Sequence, residues 1–129
     1  MTTAPLPTDR ELAILEVLWR RGEATVREVY EDLREDLHIV QNTVQAFLRT
    51  MAEKELVEHH TVGRSFVYRA LVAPDKTRAG LLERVLERAY GGALDQLVEG
   101  AIGLKNPSHK ELKRIRDLLD QLDNGGKGK

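Results

Sequence analysis

The sequence predicts a mainly α fold that carries one small β-hairpin, and three observations predict it. Apolar residues recur at helical spacing along most of the chain, and aromatic residues make up only 5% of it. Capping signatures of the type Thr/Ser-x-x-Glu open three of the helical segments. The period shortens to two residues in one stretch, Val57 to Ala70, directly after the third helical segment. Three helices followed by strand, turn and strand is the order of a winged helix-turn-helix domain. The expected layout is a winged domain over residues 1–73, a C-terminal helical dimerisation region over 74–123 and a flexible tail over 124–129.

Thr8-Asp9-Arg10-Glu11 is the first capping box, and its helix should run to about Arg20 with Leu12, Leu15, Leu18 and Trp19 inward. Gly22 ends it, and Ala24-Thr25 can supply a very short strand to pair with the hairpin. Thr25-Val26-Arg27-Glu28 repeats the signature and opens a second helix to about Asp36, with Val26, Val29, Tyr30 and Leu33 inward. After a short polar connection the third helix should span Asn42 to about Glu55. Its residues Val44, Phe47, Leu48 and Met51 fall at i, i+3, i+4 and i+7, one apolar face that must bury. Asn42, Gln45, Ala46, Arg49 and Glu53 fall opposite, with Thr43 and Thr50 on the flank.

In the hairpin, Val57, His59 and Thr61 alternate with Glu58 and His60, and Phe66, Tyr68 and Ala70 alternate with Ser65, Val67 and Arg69. Val62-Gly63-Arg64 is the turn, and it places a guanidinium at the hairpin tip, where it can meet a phosphate or a minor groove. Pro74-Asp75 marks a boundary, after which a helix from Lys76 to Tyr90 carries Leu81, Leu82, Val85, Leu86 and Ala89 on one face. Gly91-Gly92 breaks it. Ala93 to Gly103 is a short apolar helix with Leu94, Leu97, Val98 and Ile102, and Ser108-His109-Lys110-Glu111 caps a last helix with Leu112, Ile115, Leu118, Leu119 and Leu122. These three helices are too few, with stripes too wide, to form a good core alone. Pairing with a second copy resolves this, with Leu82, Val85, Leu86, Leu97, Ile115, Leu119 and Leu122 as the expected seam; folding of these helices back onto their own winged domain is the rival.

Composition bounds what the chain does. There is no cysteine, so a disulfide framework, a thiolate zinc site and a cysteine nucleophile are excluded. His59-His60 are neighbours on a strand and point to opposite faces, a poor start for a metal site. No catalytic group, metal or cofactor is therefore expected, and the lack of a signal peptide or an apolar span points to the cytoplasm. Charge runs the other way from a usual nucleic-acid binder: residues 1–70 hold nine Lys/Arg against twelve Asp/Glu, a net of −3. Glu28, Glu31, Asp32, Glu35 and Asp36 concentrate that acid in the second helix, while residues 59–70 carry Arg64, Arg69, His59 and His60 without a carboxylate. A winged helix that binds protein rather than DNA is the rival reading.

The outward row on the third helix suits base-edge reading in a major groove. Gln pairs with adenine, Arg with guanine, and Thr reaches a phosphate or a thymine methyl. The expected DNA-binding residues are Asn42, Thr43, Gln45, Ala46 and Arg49, with His60 and Arg64 on the wing.

From about Thr8 to Leu122 the sequence resembles the winged-helix repressors of penicillinase and methicillin-resistance genes and their copper-responsive relatives. Asp9-x-Glu11 with Val17-Leu18-Trp19, Thr43-Val44-Gln45-x2-Leu48, Lys54, and Gly63-Arg64-x-Phe66-Val67-Tyr68 carry the resemblance. It implies a homodimeric repressor on a palindromic double-stranded operator, dimerised through its C-terminal helices. It also implies, by resemblance alone, a membrane sensor and protease system whose signal leads to cutting of an Asn-Phe bond. Gly100-Ala101 stands at that pair here, and the absence of cysteine excludes the copper mode. Thr50 and Glu55 replace residues that are often Arg and Gly in the family, so the phosphate contacts and cap at that helix end do not carry over.

Overall fold

The computed structural model describes residues 5–125, and its chain divides into two compact units between Glu83 and Arg84. The first unit contains α1 (Asp9–Arg21), β1 (Ala24–Thr25), α2 (Val26–Leu37), α3 (Gln41–Glu53), β2 (Val57–Val62) and β3 (Ser65–Ala70). Then α4 (Pro74–Tyr90) begins, and the second unit holds its later turns with α5 (Leu94–Leu104) and α6 (His109–Gly125). Mainly helical with a three-stranded antiparallel sheet, this is the winged helix-turn-helix the sequence predicts.

Both Thr caps form as capping boxes: Thr8 and Thr25 each accept from the N–H of the Glu three residues on, and each Glu side chain accepts from the Thr N–H. The end of α3 is capped without a glycine. Glu55 adopts φ +66, its N–H donates to the Ala52 carbonyl, and the Leu56 N–H donates to the Met51 carbonyl. This is a Schellman closure with glutamate in the left-handed position that glycine usually takes, and the fully buried pair Met51 and Leu56 accompanies it. Burial of that pair holds a conformation that Glu alone disfavours.

The core lies where α1, α2 and α3 meet the sheet. Ile14, Leu15, Val17 and Leu18 of α1, Val29 and Leu33 of α2, Val44, Leu48 and Met51 of α3, and Val57 and Tyr68 of the hairpin are buried together. The α1 expectation needs correction: Leu12 and Trp19 are only partly buried, and Ile14 and Val17 are buried instead. Trp19 stays at the edge because its Nε1–H donates to the Val72 carbonyl at 2.9 Å. Val26 and Tyr30 of α2, and Phe47 of α3, are likewise partly buried.

The strand order is β1-β3-β2, with Ala24 opposite Tyr68 and Val57 opposite Ala70. As the central strand, β3 buries the adjacent residues Val67 and Tyr68, so the expected strict alternation fails there, and Phe66 is exposed. Val62 pairs with Ser65, which leaves Gly63-Arg64 as a two-residue turn. Gly63 has φ +62, the arrangement with glycine at the first central position.

Pro74 occupies the first position of α4, two residues before the expected start, because its missing N–H costs nothing there. The early turns of α4 belong to the first unit: Thr77 is buried, and a Cβ on Gly80 would lie 2.8 Å from Leu6 Cδ2. In the second unit, Ser108 and Glu111 form the expected capping box. Tyr90 sits so close to α5 that a Cβ on Gly100 would lie 2.5 Å from its Oη. The last helix continues through Asn124 and Gly125, the first two residues of the expected tail; residues 126–129 lie outside the described ones. No residue of α5 or α6 is buried. Among the described residues, no helix is long and apolar enough to cross a membrane.

Candidate nucleic-acid interface

Because Val44, Leu48 and Met51 are fully buried, the opposite side of α3 has to face solvent. Asn42, Gln45, Ala46 and Arg49 are all exposed and lie at i, i+3, i+4 and i+7, and Thr43 is half-buried on the flank. No side chain caps α3, whose N-cap is Val40. Open N–H groups at a helix N-terminus favour an anion such as a phosphate.

Wing and helix come together around a cleft of about 370 Å³. Thr25, Val26 and Arg27 from the start of α2, Gln41 and Gln45 from α3, and Arg64, Ser65 and Phe66 from the wing line it. Of the expected DNA-binding residues, Gln45 and Arg64 thus meet in one place. His60 does not join them. It pairs across the sheet with Val67 and shares that residue's face, whereas Phe66 pairs with Thr61 on the other face. His60 Nε2 lies 3.9 Å from a Glu23 carboxylate oxygen instead. Its neighbour His59 packs its ring on Phe66 and Tyr68, at 4.4 and 5.3 Å between centroids. Among the described residues, no three His, Asp or Glu side chains gather to hold a metal.

The structure answers the objection from charge. Asp32 is held by Arg21 and Arg20, Glu31 by Arg27 and Arg34, and Glu28 lies near Arg21. Arg69 pairs with Glu58 across the hairpin. Much of the α2 acid is therefore neutralised within the domain. Arg49 and Arg64 form no ion pair among the described residues, which leaves guanidinium charge on α3 and at the wing tip for an outside anion.

The guanidinium of Arg21, with help from Arg20 and against some burial, lowers the Asp32 carboxyl to about 2. A lowered carboxyl adds stability above its unfolded value of 3.8 and loses it as pH falls toward the folded one. Between pH 4 and pH 2, unfolding midpoints in urea should therefore fall more steeply for the wild type than for Asp32→Asn. Equal slopes would show that the pair contributes nothing.

Several residues of the site were not singled out from sequence. Gln41 was missed because the helix starts one residue earlier than its polar lead-in suggests. Arg27 and Val26 were assigned to their own helix, although the first helix of a helix-turn-helix lies along the nucleic-acid backbone. The two-residue alternation places Phe66 on one face with Tyr68 and Ala70 but does not say which face is covered.

Residues 7–121 match the protein family described as penicillinase repressor. The chain belongs to the penicillinase repressor family. It is 26% identical over 128 residues to a penicillinase repressor of Bacillus licheniformis, covering 96% of this chain and 97% of that protein. The solution structure of the DNA-binding domain of the repressor BlaI matches with a TM-score of 0.51 and 28% identity, over 59% of this chain and 93% of that one. The same figures hold for the Bacillus licheniformis BlaI monomeric form in complex with the blaP half-operator. The penicillinase repressor family is one of transcriptional repressors, not of enzymes, and residues 7–121 take in both the wing and most of α6.

Proposed function

We propose that this chain is a DNA-binding transcriptional repressor that acts as a homodimer on a two-fold symmetric operator. In each half-site, α3 enters the major groove and the wing follows the backbone. The observation that carries this is the exposed row Asn42, Gln45, Ala46 and Arg49 on a helix whose other side is locked into the core, beside an unpaired Arg64. Gln45 and Arg49 read base edges, Arg64 and the open α3 N-terminus hold phosphates, and Thr43 supports from the flank.

The C-terminal helices supply the second half of the proposal. Leu82, Val85, Leu119 and Leu122 of the expected seam are exposed in the single chain, as are Leu94, Val98, Ile102 and Leu118. Leu86, Leu97 and Ile115 are half-buried within it. Apolar exposure on this scale marks an interaction surface, and two-fold pairing with a second copy is the commonest solution. The inducing signal does not include the Asn-Phe cut in this proposal, because Gly100 and Ala101 lie within α5 in place of that pair.

Selection of bound duplexes from a random pool tests the function: a palindrome should emerge, and its affinity should fall steeply with salt as counterions are released. A flat salt response, or no duplex bound at low salt, would favour a protein-binding winged helix. On the selected site, Gln45→Ala or Arg49→Ala should each cost about 1–3 kcal/mol of binding while leaving the melting temperature near that of the wild type. Equal losses on random DNA would show that these residues do not read bases.

A further inference from the structure

Phe66 is a large apolar side chain left 49% exposed in a domain that buries its core residues almost completely. Its ring is not loose. His59 packs on it at 4.4 Å, and His59 in turn packs on Tyr68, which is buried, so the three rings form a ladder from the core outward. The ladder ends in the cleft between wing and recognition helix, which Phe66 lines together with Gln45, Arg64 and the apolar side chain of Val26. Phosphate oxygens would gain nothing from a phenyl ring, but one base-edge group would. Thymine alone presents an apolar methyl in the major groove, next to an O4 acceptor.

We infer that Phe66, positioned by His59, is a specificity-determining residue that receives the methyl group of a thymine in each half-site. Val26 is the other apolar side chain lining the cleft, and the Gln45 amide lies within the same cleft to donate to the O4 of that thymine or to the neighbouring base. The inference rests on the DNA-binding reading above, and it adds a base contact made by the wing rather than by α3.

Replacing thymine by uracil removes the methyl and nothing else, which makes a chemical test possible. The probe is the duplex selected by the wild-type protein, with each thymine in turn changed to uracil. One position per half-site should weaken wild-type binding about fourfold, the value of one buried methyl-sized group. Phe66→Ala should bind the thymine duplex more weakly and no longer distinguish it from the uracil duplex at that position. Phe66→Leu, which keeps an apolar contact, should recover part of the distinction, and thermal melting of both variants controls for folding. The inference is overturned if no uracil substitution weakens the wild type, or if Phe66→Ala distinguishes the two duplexes as well as the wild type does. Failure of the wild type to select any duplex would instead overturn the DNA-binding reading itself.

Discussion

On the proposed dimer, Leu119→Asp should leave a monomer and weaken operator binding by about 10²- to 10⁴-fold, the advantage that linking two binding modules confers. Leu119 is 56% exposed in the single chain, so an aspartate there meets water in the monomer and an apolar partner surface only in the proposed dimer. The charge is costly in the second setting and not in the first. Circular dichroism should therefore be unchanged while sedimentation shows half the mass. Leu86→Asp is expected to disrupt the dimer too, but Leu86 is half-buried within its own chain, so loss of fold and loss of pairing would be mixed there. A Leu119→Asp protein that remains dimeric at micromolar concentration would remove α6 from the interface.

Glu11→Ala should destabilise the winged domain by about 3 kcal/mol, the lower end for breaking a buried ion pair, since Lys54 is partly exposed. Glu11 is 2% exposed and serves two masters: it accepts from the Thr8 N–H at 2.9 Å and from Lys54 Nζ at 2.8 Å. Its removal takes away the acceptor of the Thr8 N–H, half of the α1 capping box, and leaves the ammonium at the end of α3 without its partner. Burial pushes the Glu11 carboxyl up, but the hydrogen bond from Lys54, the bonds from Thr8 and the Lys54 charge outweigh it and hold it below the usual glutamate range. Stability from this carboxylate is therefore complete above about pH 4.5 and is lost as pH falls through the lower folded value. The gap between wild type and Glu11→Gln should be full at pH 7 and should shrink in acid. A gap that does not change with pH would assign the effect to packing rather than to the ion pair.

Much of this protein was legible in the sequence because its signals are local. Capping boxes at Thr8, Thr25 and Ser108 and the 3.6-residue stripe of α3 each involve residues within one or two helical turns, where spacing alone dictates geometry. The change to a two-residue period and the Gly63-Arg64 turn located the wing in the same way. From these follow the fold, the exposed polar face of α3 and the open apolar stripes of the last helices.

The tertiary structure decided what depends on residues distant in the chain. Glu11 and Lys54 lie 43 positions apart, and the local signal at Glu11, a helix cap, gives no hint of a distant partner. Only packing of α1 on α3 makes them a pair. It likewise decided that Phe66 points outward into a cleft while His60, three residues before Gly63, takes the opposite face, and that much of the acid of α2 pairs with arginines of α1 and of α2 itself. Periodicity says which side chains share a face, but which face is covered, and which charges find each other there, is set by the elements that fold against it.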